Sequence, residues 1–406
     1  MLQGRRTNIE PQLRPTNQPF CAINAKVLCS EFGLRAVRYA GGMEADDRIE
    51  ALNAAHGALT DLGRALCVPA AQLGLNGRLT LYLGARPCDT VAARAARGLW
   101  TLNIPARSQS IGTLAHNWAH FLDNHLASAH GFASSAALVQ LKRGDVHGNA
   151  RPTLLTALMR DLVLGANPDG NGFSSFATQS LDADRRRRPP HFSTAPELFA
   201  RAFEVWLEAT MKAGGQDNPF LVSTNGRGLG DYASGVYPQA DERQRVAAAV
   251  GARLPTLLQA AGMNPDIGQV VASMENLVAV NIEDKNLIVA GAWMAAAKAV
   301  HRERLIAVNG GAIYGIEART KDGSRWGAIL PEMSGGGGDA RIQFYDAAGL
   351  LGHVVYRDEE TALRELVAQH YVTPDLGAMD RLQAMPHWHR KIPAAVDAQR
   401  RCVYAT

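Results

Sequence analysis

Apolar positions recur at helical and strand periods in turn along this chain. From residue 45, Ile49, Leu52, Leu59, Leu62 and Leu66 share one face at helical spacing and predict an amphipathic helix closed by Pro69. Residues 32–39 alternate as a short strand ended by Gly41-Gly42, and residues 78–83 alternate after the turn signal Leu75-Asn76-Gly77. A third strand, residues 99–104, is stopped by Pro105. It leads directly into an apolar helix over residues 110–124, which Ser108 or Ser110 is placed to cap.

Further along, Leu154, Leu155, Leu158, Leu162 and Val163 mark another amphipathic helix, finishing near Gly165. Residues 182–190 read as a charged linker. Residues 196–207 form a helix capped by Ser193 or Thr194, with Pro196 well placed in its first turn. Residues 240–261 return to helix, kinked or split by Pro255. The most apolar run, residues 287–297, is stopped by Lys298 and is too short to span a bilayer, so it reads as a core helix.

The pattern changes after Met263. Strands are predicted over residues 305–308, 312–318, 325–330, 341–345 and 352–356, with a Lys321-Asp322-Gly323 turn, a flexible tip at residues 335–338 and a helix over residues 361–369. The fold class is therefore α+β: an N-terminal arm at residues 1–29, a main domain of helices on a small mixed sheet at residues 30–262, and a small α+β module at residues 263–406.

Composition narrows the function classes. The chain has 406 residues, 47% of them hydrophobic, with a formal net charge of +4, which indicates a folded soluble protein and does not by itself point to nucleic acid. Cys21, Cys29, Cys67, Cys88 and Cys402 are dispersed without a C-x-x-C pair, which fits a reducing compartment and excludes a cysteine-type zinc site. Residues 1–17 are polar and arginine-bearing rather than a secretory signal. The expected location is cytoplasmic, with no membrane partner.

The chemistry concentrates at His116 and His120. Residues four apart on a helix lie one above the other, the spacing by which one helix offers two imidazoles to a zinc ion. In H-E-x-x-H peptidases the residue after the first histidine is the glutamate that serves as general base; here it is Asn117. Taken alone the pair fits a metal site or two satisfied core histidines. Glu197, in the run Glu197-Leu198-Phe199-Ala200-Arg201-Ala202-Phe203-Glu204, would complete three protein ligands with water as the fourth. His125 and His130 have the wrong spacing for a third ligand and read as surface residues or weak adventitious binders, while His387 and His389, at i and i+2 in the tail, are given no metal role.

These motifs resemble the zincin-like metallopeptidase domain called large polyvalent protein-associated domain 1, found in phage, plasmid and conjugative-element proteins. The resemblance runs in order through residues 32–37, 52–59, 73–81, 102–104, 114–124 and 197–204, and takes in Tyr237-Pro238-Gln239, covering about residues 30–262. It implies a zincin-like fold and zinc bound by His116, His120 and Glu197, with Glu204 as alternative ligand or second-layer partner. Asp123 matches an aspartate that could fix a histidine ring; it could equally cap the helix or pair with an arginine. His191 falls where a peptidase would carry an oxyanion stabiliser, and is otherwise a loop residue.

Asn117 occupies the position of the family's general base, and its amide cannot carry the proton. The function expected is a degenerate zinc metallopeptidase-like protein of a mobile element that binds a protein or peptide with little or no proteolysis. The alternatives are an active zinc peptidase using Glu204 as base, and a DNA-associated accessory protein contacting nucleic acid through residues 185–188, which otherwise read as a solvated loop, or through the C-terminal module.

Overall fold

A computed structural model describes residues 23–40, 42–85, 100–105, 113–129, 154–164, 172–222, 236–283, 287–332, 339–385 and 388. Its first element is a helix. The Asn24 side chain accepts from the backbone N–H groups of Lys26 and Val27, each at 3.0 Å, and starts α1, Ala25–Phe32. Gly33, at φ +63°, closes it in the left-handed conformation. Phe32 therefore ends a helix instead of opening a strand, and β1 is confined to Ala36–Tyr39.

β1, β2 (Leu79–Ala85) and β3 (Trp100–Pro105) form a parallel sheet in that order. Parallel neighbours need a crossover, and α2, Ala45–Leu66, supplies the one between β1 and β2. It buries Leu52, Ala55, Ala58, Leu59, Leu62, Gly63 and Leu66, while Ile49 faces solvent at 55% exposure. The apolar face thus starts one turn later than the spacing predicts, because among the described residues nothing covers Ile49 in the first turn of α2.

The centre of the molecule is α3, Thr113–Ala129, which follows β3. Leu114, Ala115, Trp118, Ala119, Phe121, Leu122 and Leu126 are all buried, so core surrounds this helix on most sides. Its position is fixed at several points. Trp118 Nε1 donates to Leu73 O at 3.0 Å, the Trp118 ring lies against Phe203, and the Ala115 N–H, one of the first-turn donors without a helical partner, donates to Leu221 O. Ser108 and Ser110 lie outside the described residues.

Four helices build on α3. α4 is Leu154–Leu164 and α5 is Ser175–Asp184. α6, Ala195–Ala213, packs directly on α3, and α7, Ala240–Ala260, packs on α4 and α6. α5 takes in Asp182 to Asp184, so the charged linker begins only at Arg185. α7 runs through Pro255 as a single element. α8 (Ile267–Glu283) and α9 (Leu287–Val308) add to the same core, which reaches Val300. Residues 305–308 are thus the last turn of α9, not a strand.

α9 continues into a second core. There β4 (Glu317–Thr320), β5 (Arg325–Pro331), β6 (Ala340–Asp346), β7 (Gly349–Tyr356) and β8 (Tyr371–Pro374) form an antiparallel sheet ordered β7-β6-β5-β4-β8. β4 is shorter than the alternation of residues 312–318 suggests. One face of this sheet packs Ile329 and Ile342 on α10, Glu359–Ala368. The other packs Ala328 and Tyr345 on Leu382 of α11, Ala378–Gln383, and on Trp388. Residues 335–338 lie outside the described residues.

Candidate metal centre

α3 presents His116 and His120 one turn apart, toward the first turn of α6, where Glu197 sits. The two Nε2 atoms stand 3.1 Å apart. One Glu197 oxygen lies 3.4 Å from His116 Nε2 and the other 3.3 Å from His120 Nε2. In a tetrahedral zinc site with bonds of about 2.0–2.2 Å, ligand atoms are separated by about 3.3–3.6 Å. The two imidazole nitrogens at 3.1 Å, each within 3.4 Å of one of the two Glu197 oxygens, lie close to that figure. Two imidazole nitrogens and a carboxylate are also the donor set of a zinc centre that keeps its fourth position open. These residues fit zinc, and they are the one group of three or more such side chains among the described residues whose ligand atoms converge this closely.

Behind the cluster lies a second carboxylate. Glu204, two turns after Glu197 and 2% exposed, places Oε2 2.8 Å from His116 Nδ1. Tyr237, also buried, donates its hydroxyl to the same oxygen at 2.8 Å. A hydrogen on Nδ1 directed at Glu204 leaves the Nε2 lone pair for the cluster. Glu204 therefore meets the opposite side of the His116 ring from Glu197.

The electrostatics follow from these contacts. Burial favours the neutral His116 ring, but Glu204 and Glu197 outweigh it and push the pKa up to about 10. Burial likewise opposes ionisation of Glu197, yet its contacts with His116 and His120 hold the carboxyl far below the usual range. The metal-free cluster is thus an ion pair.

The loop entering α6 is tied down from beneath. Asp184 Oδ2 accepts from the His191 N–H at 3.0 Å and from the Ser193 N–H and Oγ, each at 2.7 Å. Burial raises the Asp184 pKa, but these donors prevail and lower it. Thr194 stands at the cap position of α6, yet its Oγ1 donates to His191 O at 2.8 Å instead of capping the helix. Arg201, 2% exposed, donates to Val236 O, Phe192 O and Ser180 Oγ, with its guanidinium among the rings of Phe176, Phe192 and Tyr237. This arginine joins α5, the loop and the Tyr237 segment to the helix that carries both glutamates.

The remaining expected residues divide by position. His191 is at the rim, its side chain 48% exposed and Nδ1 3.6 Å from Glu197 Oε1. Asn117 is buried on α3 between the two histidines. Asp123 is buried further along α3, and the carboxylate found against His116 is that of Glu204. His125 is not a surface residue: it is 5% exposed, and Nε2 lies 3.0 Å from Ala261 O, part of the packing between α3 and the end of α7. His130, His387 and His389 lie outside the described residues. The contacts of Tyr237 and Arg201 escape sequence reading. Tyr237 draws attention there only within a matching motif, and Arg201 only as one charge among the glutamates of α6.

Residues 183–261 match the family model described as Large polyvalent protein-associated domain 1. The match begins at the turn anchored by Asp184 and spans α6 and α7, so it includes Glu197, Glu204 and Tyr237. α3, with its two histidines, precedes the matched stretch and joins it through packing. No match is found among curated proteins or among solved structures. No helix of the described residues is long and apolar enough to cross a membrane.

Proposed function

We propose that this chain is a mobile-element protein whose zincin-like centre holds zinc through His116, His120 and Glu197 and engages a protein or peptide with little or no cleavage. The observation that carries this reading is the convergence of the three ligand residues at edges of 3.1, 3.3 and 3.4 Å. The domain match over residues 183–261 supports the mobile-element setting; our reading places the protein in the cytoplasm of a bacterial host, either made there or delivered with phage or plasmid DNA.

Zinc, when bound, supplies Lewis acidity and makes a coordinated water more acidic. The rest of the chemistry belongs to the chain's own residues. Glu204 and Tyr237 orient His116, and His191 at the rim offers a donor toward an anionic group. Asn117 can hydrogen-bond at the position of the base but cannot accept and pass on a proton. General-base assistance is worth ~10²–10⁴-fold in rate, about 3–5 kcal/mol of barrier at ~1.4 kcal/mol per decade. Recruitment of Glu204 as a substitute base is disfavoured by its burial and by its engagement with both His116 Nδ1 and the Tyr237 hydroxyl.

The test is metal analysis and a peptidase assay on wild type beside Asn117→Glu. Stoichiometric zinc in both, with cleavage only or mainly in the variant, is expected. Absence of zinc removes the metal claim, and brisk cleavage by wild type removes the claim of impaired catalysis.

A further inference from the structure

The loop between α5 and α6 carries Arg185, Arg186, Arg187 and Arg188, all exposed, immediately before His191 at the rim of the metal centre. Its far end is pinned by the Asp184 hydrogen bonds to His191 and Ser193 and by the Thr194 bond to His191 O. The backbone that carries the arginines is therefore held next to the rim at its His191 end. The Arg187 guanidinium lies 4.7 Å from the Phe192 ring centroid, and that ring lies 4.9 Å from the His191 ring. This puts Arg187 within about one Debye length of the His191 ring, ~10 Å at 0.1 M salt.

We propose that residues 185–188 make the mouth of this centre selective for an acidic polypeptide segment. The inference rests on the reading of the centre as a zinc site that engages polypeptide. Arginine is the residue suited to this role, since its planar fork meets carboxylates with two parallel hydrogen bonds. Asp182 pairs with Arg185 at 2.9 Å and offsets one of the charges, while Asp184 lies buried beneath the loop. Arg186 and Arg188 remain exposed on the surface.

A polypeptide fits better than nucleic acid on two grounds. Four consecutive residues span at most ~14 Å, too short a stretch for the several phosphate contacts on which nucleic-acid affinity is built, and the chain as a whole carries only +4.

The experiment is fluorescence anisotropy on the zinc-loaded full chain with three labelled probes: a peptide alternating glutamate and valine, the same peptide with glutamine for glutamate, and a single-stranded oligonucleotide of equal length. Wild type is compared with Arg186→Glu/Arg188→Glu and with Arg186→Gln/Arg188→Gln, which keeps the test open should charge reversal impair folding. The expected result is about tenfold preference for the acidic peptide over the glutamine peptide, lost in either variant, with zinc content unchanged. The acidic peptide should also perturb the visible spectrum of the cobalt-substituted protein. Equal binding of the two peptides, selectivity that survives in the variants, or tighter binding of the oligonucleotide each overturns the proposal. Retained zinc without charge selectivity leaves the metal reading standing; selectivity without zinc removes the metal reading and leaves this surface.

Discussion

Glu204 Oε2 stands 2.8 Å from His116 Nδ1, across the imidazole ring from the Nε2 atom that faces Glu197 and His120. A carboxylate in this place fixes the ring and its tautomer, and such partners are typically worth ~10–100-fold in metal affinity. Glu204→Ala is expected to weaken zinc binding by about that factor. Tyr237→Phe removes only the hydroxyl that holds the carboxylate, so its effect should be smaller but in the same direction. Competition against a chromophoric chelator measures both, and unchanged affinity in Glu204→Ala would deny the residue this role.

Arg201 satisfies two backbone carbonyls and a serine hydroxyl inside the core. Arg201→Met has comparable length but no donors, and it strands Phe192 O and Val236 O. Each unsatisfied buried acceptor costs about 1–3 kcal/mol, so a loss of about 2–6 kcal/mol is expected in urea denaturation. Because the same arginine positions the loop before α6, zinc affinity should fall as well.

Gly33 and Gly74 meet backbone to backbone. A Cβ built on Gly74 would lie 1.9 Å from Gly33 O, and one built on Gly33 would lie 2.1 Å from Ala71 O. Leu73, beside this contact, accepts the Trp118 hydrogen bond that positions α3. Gly74→Ala is therefore expected to cost more than ~3 kcal/mol or to prevent folding, whereas alanine at Gly77 meets no atom within 4 Å but carries the strain of φ +70°, about 1 kcal/mol. Expression yield and thermal melting separate the two.

His301 lies 8% exposed near the junction of the two cores, and its Nδ1 has no hydrogen-bond partner among the described residues. Burial, aided by Lys321 and Arg304 and opposed by Glu275, lowers its pKa from 6.5 to about 4. Between these values the unfolded chain takes up a proton that the folded chain refuses. Its contribution to stability is thus lost as pH falls from about 6.5 to about 4 and levels off below. Melting curves over that window, recorded with excess chelator, should fall more steeply for wild type than for His301→Gln. Parallel curves would contradict the assignment.

Much of the main domain was open to reading from residue pattern. The helix carrying His116 and His120, the strands β2 and β3, and helices α2, α4, α6 and α7 each declare themselves by a local period of apolar residues. α1 and α5 did not. Each of those helices is short and starts on a capping residue, Asn24 or Ser174, and neither carries a long apolar stripe. Ile49 kept the right period at a turn where, among the described residues, no neighbour covers it. The C-terminal hairpins were legible from their turns, but β8 and α11, too short for a period to register, were not.

The sequence by itself determined that two imidazoles share a helix face, that an asparagine follows the first of them, and that a glutamate helix comes later in the chain. These are properties of spacing within one element, and a helix converts spacing into geometry without help. Only the tertiary structure decided that Glu197 reaches both histidines, that Glu204 meets the far side of His116 from 88 residues away, and that Tyr237 and Arg201 support them. Those relations depend on the rotation and separation of α3 against α6, which are set by Trp118, Phe203 and the core around them.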